Sequence, residues 1–178
     1  MMKKQSAGIL LYKFKKGVVQ VLLVHPGGPF WKNKDEFSWG IPKGEFGENE
    51  SALDTAIREF NEETDYILDD ADLIELNPIE QNSGKIVYAW ATEKDIDVKK
   101  IKSNLFDLEW PPKSGKIQQF PEVDKGEWFY IPTAKRKILK KQFGLIEDLI
   151  SKLRLSEKQI QYPIGYIDPE KSQLNLFE

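Results

Sequence analysis

The segment Ser51–Asp65 places two demands on one helix, and the rest of the chain has to accommodate both. Each helical residue advances about 100°, so Leu53, Ala56, Ile57 and Phe60 fall on one stripe at the i, i+3, i+4, i+7 spacing of a core-facing side. Glu59, Glu62 and Glu63 stand at i, i+3 and i+4 and are expected to share a different face. Like charges at this spacing destabilise a helix by a few tenths of a kcal/mol each. They also fall near the helix C-terminus, where the macrodipole disfavours anions. A helix selected only for stability would carry Lys or Arg there.

Two readings of that face follow. One is a solvated acidic surface. The other is a site for a hard cation such as Mg²⁺, which takes carboxylate oxygens and keeps water and phosphate oxygens as its other ligands. The remainder of the chain bounds the choice. Its 178 residues suit one domain, which at this size buries about 70% of its unfolded surface without help from disulfides or metal. A formal charge of −3 gives no basic footprint for a nucleic-acid backbone, so no nucleic-acid partner is expected. The absence of cysteine excludes disulfides, zinc–thiolate sites and thiol nucleophiles, and is compatible with the cytoplasm, the location expected. The apolar run Ile9–Tyr12 is too short for a signal-peptide core, and nothing approaches the about 20 apolar residues of a membrane span.

Along the chain, Ala7–Phe14 and Val18–His25 read as adjacent strands around Lys15-Lys16-Gly17. Pro26–Gly47 is a long stretch dense in Gly, Pro and aromatics, expected to be a binding loop. Leu73–Leu76 and Lys85–Thr92 read as strands. Ile96–Gln119 is irregular around Trp110-Pro111-Pro112, with a strand near Leu105–Leu108. Glu127–Ile131 is a short aromatic strand. Thr133 is expected to cap a helix reaching about Leu155 and divided at Gly144, and residues 156–178 form a tail, packed or frayed. Short strands with two substantial helices predict an α/β sandwich.

The segment from Gly44 resembles the box of the Nudix hydrolase family: Gly, five residues, Glu, seven residues, Arg-Glu, an apolar residue, any residue, Glu-Glu, any residue, Gly, an apolar residue. Gly44, Glu50, Arg58, Glu59, Phe60, Glu62, Glu63 and Tyr66 match it. Asp65 stands where the second glycine belongs, a position that closes the helix in a left-handed conformation. Trp39-Gly40-Ile41-Pro42-Lys43-Gly44, Lys85–Asp97 and Phe120–Asp124 with Trp128-Phe129 are similar to members that cleave diadenosine polyphosphates, with Lys99–Gln119 as an insertion. His25–Phe30 and Glu109–Pro112 also resemble a bacterial group of predicted NTP pyrophosphohydrolases.

The resemblance implies a Nudix-like α/β/α sandwich with a mixed central sheet over residues 1–155. It implies metal-dependent hydrolysis of a phosphoanhydride in a nucleoside diphosphate-linked substrate, first of all a dinucleoside polyphosphate such as diadenosine tetraphosphate. Nucleoside triphosphate pyrophosphohydrolysis is the alternative within the enzymes, and a non-catalytic nucleotide-binding regulatory module the alternative outside them. Mg²⁺ or Mn²⁺ would be held by Glu59, Glu62, Glu63 and the Lys43 carbonyl, with Glu122 as a further ligand or general base. Either Glu62 or Glu122 would accept the proton, and Arg58 paired with Glu50 would orient the cluster. Glu109 is a second candidate for the loop carboxylate. Lys43 and Lys85 are candidate phosphate contacts, and Tyr88, Phe30, Trp31 and Trp39 candidate stacking partners for a base. His25, the only histidine, reads as structural.

Overall fold

The computed structural model describes residues 4–68 and 72–170. Its centre is β1 (Gln5–Lys15), a nearly continuous apolar strand as expected of one covered on both faces. A tight turn at Lys16 and Gly17, both at positive φ, returns the chain as β2 (Val18–Pro26). β2 pairs only with the C-terminal half of β1, from Tyr12 to Lys15. The N-terminal half, Ser6–Gly8, instead receives β3 (Lys43–Glu45). This division of one strand between two partners opens the sheet where β3 enters. Gly8 allows it, since a Cβ there would lie 2.3 Å from the Pro42 carbonyl oxygen.

After β3 come α1 (Ala52–Thr64), β4 (Ile74–Glu80) and β5 (Ile86–Glu93), then a hairpin of β6 (Leu105–Glu109) and β7 (Ile117–Pro121), and β8 (Val123–Tyr130). The main sheet runs β4-β5-β1-β2-β8, with β3 attached to β1. β1 and β5 are parallel and the other pairs antiparallel, so the sheet is mixed as expected. α1 packs on one face, where Phe60 and Ala56 meet Ala7, Ile9, Leu11 and Leu22. α2 (Ile131–Lys137) and α3 (Phe143–Lys152) cover the other through Ala134, Leu145, Ile146 and Leu149. The result is a three-layer α/β/α sandwich, and no described helix is long and apolar enough to cross a membrane.

Several sequence expectations are corrected. Part of the expected long loop is strand, since β3 and the Val24–Gly40 bridge draw Trp39–Glu45 into the sheet. β4 runs on to Glu80 through Pro78, which an edge strand tolerates where its register slips between Leu76 and Ile79. β7 was not foreseen, and β8 begins at Val123 rather than Glu127. Thr133 caps no helix: Tyr130 is the N-cap of α2, and the Thr133 hydroxyl lies 2.9 Å from that of Tyr162. The break between α2 and α3 falls at Ile138–Gln142, not Gly144, because Ile138 bridges Trp39 and the Leu139 N–H donates to the Trp39 carbonyl at 2.8 Å.

The buried side of α1 also differs from the expected stripe. Thr55, Ala56, Phe60 and Thr64 are buried, while Leu53 and Ile57 are only half-buried. The helix is thus rolled toward its acidic side. Ser51 caps its start, accepting the Asp54 N–H at 3.3 Å. At its end Asp65 takes up φ 62°, ψ 21°, the left-handed conformation expected of the missing glycine, and its N–H donates to the Asn61 carbonyl.

The segment 156–170 folds back onto α2. Asp168, nearly buried, accepts from Arg136 at 2.8 Å and from the Tyr162 hydroxyl at 3.0 Å. Burial lifts the Asp168 carboxyl, but the bonds from Arg136, Glu170 N–H and Tyr162 hold it below the usual carboxylate range. Lys137, also buried, lies between Asp35 and Glu170.

Two substitutions test these statements. Asp65→Gly relieves a left-handed backbone that costs a side chain about 1 kcal/mol, and should raise the urea midpoint by a corresponding amount with catalysis unaltered. Asp168→Ala leaves Arg136 without its buried partner and should lower stability by about 1–3 kcal/mol; an unchanged midpoint would show that the Arg136–Asp168 pair contributes nothing to the fold.

Candidate active site

The roll of α1 brings its carboxylates against β3. Glu59 lies so close to Gly44 that a Cβ on residue 44 would sit 1.9–2.2 Å from its carboxylate atoms, so any larger residue would displace that carboxylate. One turn on, Glu63 accepts the Lys43 N–H at 3.1 Å. Glu62 points further out, where Arg58 donates to it at 3.1 and 3.2 Å. The same guanidinium is 2.8 Å from Glu59 and 3.9 Å from Glu50. Glu50 instead accepts the Gly47 N–H at 2.9 Å. Arg58 therefore bridges Glu59 and Glu62, and the expected Arg58–Glu50 pair is the longest of its contacts.

Glu122, between β7 and β8, faces this group from across a cleft of about 140 Å³ lined by Trp31, Ser38, Ile41, Lys43, Glu63 and Glu122. Burial pushes the Glu63 carboxyl up to about 8; Lys43 opposes the rise, and the charges of Glu59 and Glu122 add to it. Burial also raises Glu59, against the pull of Arg58 and with help from Glu62 and Glu122. Glu122 is raised by burial and then by the charge of Glu62. Lys43 is lowered, chiefly by burial.

The charge balance of this group is short of cations. Among the described residues no three acidic or histidine side chains stand in a ready-made coordination geometry, with Arg58 lying between two of them. The donor set nevertheless suits a hard divalent ion. It consists of carboxylates without His or Cys, three of them held by burial, and then by one another's charge, to bind protons more tightly than usual. Glu59, Glu62, Glu63 and Glu122 are the candidate side chains for such an ion, and Arg58 would have to release Glu59 or Glu62 before three of them could ligate one.

The other sequence candidates are dispersed. Trp39 is 3% exposed and belongs to the core, edge-on to His25 and Phe129, with its indole N–H on Asp35 at 2.9 Å; it offers no face to a base. Tyr88 stands edge-on to Phe46 beside the α1-side core. Lys85 is close enough to Lys43 to depress it, but is paired with Glu45 at 2.5 Å. Glu109 caps the turn of the β6–β7 hairpin by accepting the Gly115 N–H at 2.7 Å, and is not part of the cleft. Phe30 meets Trp110 edge-on, leaving Trp31 as the loop aromatic that lines the cleft. His25 is structural, its ring nitrogens 2.8 Å from Asp124 and from the Lys34 carbonyl. Sequence reasoning missed Gln142, which is fully buried and accepts the Ile41 N–H at 3.1 Å. A lone Gln between two helices gives no sequence signal for that.

A pH dependence follows from Glu63. Its carboxyl titrates near 4.5 in the unfolded chain and near 8 in the fold, so folding takes up a proton between those values. The associated stability is present below about pH 4.5 and is lost as pH rises through about 8. With chelator present, urea midpoints of the wild type should fall from pH 5 to pH 8.5, and Glu63→Gln should flatten that decline. Added Mg²⁺ should restore the wild-type midpoint at high pH and leave the variant nearly unmoved.

The NUDIX domain family matches residues 2–149 of the chain. Among solved structures, a Caenorhabditis elegans Ap4A hydrolase in a binary complex shares 20% identity at TM-score 0.58, covering 85% of this chain and 98% of that one. The NUDIX domain of Shewanella oneidensis NrtR complexed with ADP ribose shares 17% at TM-score 0.58, covering 86% and 90%. A mutT/nudix family protein from Listeria innocua shares 18% at TM-score 0.54, covering 88% and 100%. No curated protein sequence matches the chain. At these identities the structures speak for the fold, while the family match spans most of the sequence and takes in the box with its acidic residues: the chain belongs to the Nudix family, as a Nudix-type hydrolase.

Proposed function

We propose that the chain hydrolyses a phosphoanhydride bond in a nucleoside diphosphate-linked substrate, first of all a dinucleoside polyphosphate such as diadenosine tetraphosphate, with Mg²⁺ or Mn²⁺. The observation that carries this reading is the meeting of Glu63 and Glu122 in one cleft with Lys43 and Trp31 in its walls, and with Glu59 near enough for its charge to act on Glu63. A cluster of carboxylates repels a polyphosphate by itself, and a bound divalent ion supplies the charge that joins the two, neutralising phosphoryl oxygens and lowering the pKa of a coordinated water. Glu59, Glu62 and Glu63 from α1, with Glu122 opposite, are the residues to hold it.

The chain's own groups then divide the remaining tasks. Glu122 takes the proton from the attacking water at its carboxylate. Its raised proton affinity supports this assignment, because a general base is most effective with a pKa nearer the working pH. Glu62, bonded to Arg58 through both oxygens, is the second candidate for that step. Arg58 keeps Glu59 and Glu62 from swinging apart, and Lys43 adds positive charge at the floor of the cleft. Trp31, half-exposed, provides an apolar ring on which a base can stack.

The likeness to the Ap4A hydrolase supports the dinucleoside polyphosphate. The NrtR domain with ADP ribose favours a second reading, a nucleoside diphosphate joined to a sugar. Both substrates present a polyphosphate bridge to the carboxylates and differ beyond it. Retention of all the box carboxylates speaks against a purely regulatory module.

A panel of diadenosine tetraphosphate, ADP-ribose and nucleoside triphosphates, incubated with Mg²⁺ or Mn²⁺ and resolved by chromatography, separates these readings. ATP with AMP is the expected product pair, and pyrophosphate from a triphosphate would displace the first reading in favour of the pyrophosphohydrolase. Glu62→Gln and Glu122→Gln should each lower kcat by about 10²–10³-fold with an unaltered fold. Full turnover in either variant would remove that residue from the mechanism.

A further inference from the structure

Glu62 and Glu122 lie on separate elements, yet one short segment joins their backbones. The Asn104 N–H donates to the Glu62 carbonyl at 2.9 Å, and the Glu122 N–H donates to the Asn104 carbonyl at 2.9 Å. One residue earlier, the Ser103 hydroxyl accepts the Val123 N–H at 3.0 Å and stands 3.0 Å from the Val123 carbonyl. One residue before that, the Lys102 N–H reaches the Thr64 carbonyl at 3.3 Å. The last turn of a helix leaves its carbonyls without helical partners. Here two of those carbonyls, on Glu62 and Thr64, are met by the segment Lys102–Asn104, and the far side of that segment holds the peptide on either side of Glu122.

The connection has no slack. Glu122 is gripped from the opposite direction as well, since the Gly27 N–H donates to its carbonyl at 2.9 Å and a Cβ on Gly27 would fall 1.9 Å from the Pro121 carbonyl oxygen. Beyond Asn104 the chain enters β6, pairs with β7 from Leu105↔Pro121 to Glu109↔Ile117, and returns directly into Glu122. The hairpin therefore begins at the end of α1 and ends at the carboxylate facing it.

We infer that Ser103 and Asn104 are positioning residues: the segment Lys102–Asn104 fixes the Glu122 carboxylate relative to the α1 carboxylates, and the inserted hairpin serves the reaction by closing this strap. The inference rests on the reading of Glu122 given above. Ser103 and Asn104 touch no substrate. They act by holding the backbone of Glu122 against the end of α1, and displacement of a reacting group by even 1 Å can cost as much as 10²-fold in rate.

The test is a double-mutant cycle on turnover of diadenosine tetraphosphate with Mg²⁺, or of whichever nucleotide in the panel is cleaved. Ser103→Ala should lower kcat about tenfold, with KM little altered and the acidic limb of the kcat–pH profile displaced. Ser103→Thr, which keeps the hydroxyl, should restore both. In the Glu122→Gln background, Ser103→Ala should cost nothing further, because coupled groups do not act additively. If Ser103→Ala is silent in the wild type, or if its cost persists beside Glu122→Gln, the strap has no positioning role and the inference is overturned while the Glu122 assignment stands. If Glu122→Gln alone leaves turnover intact, the assignment falls and the strap with it. Inertness toward the whole panel overturns both. Urea midpoints of all variants separate loss of fold from loss of rate.

Discussion

The contact between α1 and β3 is where the molecule takes two carboxylates out of water, at an electrostatic cost. Carboxylates are rarely taken out of water unless something compensates them, and here Glu59 is driven against the bare Cα of Gly44 while Glu63 is held on the Lys43 N–H. The apolar interlayer behind them enforces this. Phe60 and Ala56 are fully buried against β1 and β2, so the helix cannot roll outward to relieve its acids without exposing that core. β3 cannot retreat either, since it occupies the half of β1 that β2 leaves unpaired. Burying apolar area at about 25 cal/mol per Å² therefore maintains a cluster that would disperse on an isolated helix.

The four acids are not equivalent, and their differences come from position. Glu59 and Glu63 share the buried side of α1 with Ala56. Glu62 stands at the outer flank, tied to Arg58. Glu122 belongs to a different part of the chain and approaches from the opposite wall. Of these acids Glu63 and Glu122 line the cleft itself, the first held by α1 and the second on a backbone clamped from both sides. Four residues of one chemical type thus stand in four different surroundings.

Much of this was legible in the sequence for local reasons. The apolar runs of β1 and β2, the helix after Ser51 and the spacing Gly44–Glu50–Arg58–Glu59–Glu62–Glu63 depend on near neighbours in the chain, and the strands and the helix stand where those patterns put them. The roll of α1 was not legible. Periodicity ranks residues by hydrophobicity and places Leu53 and Ile57 inward, whereas the close approach to Gly44 turns Glu59 and Glu63 inward. Trp39 was misjudged because an aromatic in a glycine-rich stretch resembles a binding residue, and only the bridge to Ile138 shows that it closes a core. Glu109 and Glu122 look alike as loop acids. What separates them is the hairpin register, which sends one to cap a turn and the other to the cleft.

Lys137 carries a consequence of another kind. Its ammonium is buried, with Asp35 from the cleft-side loop and Glu170 from the segment after α3 as its two acidic partners. Removing one partner of a buried ion pair costs far more than the pair itself contributes, so either acid alone leaves the Lys137 ammonium undercompensated. A single buried charge thereby fastens the loop before Trp39 to the segment after α3, two parts of the chain that no strand pairing joins among the described residues.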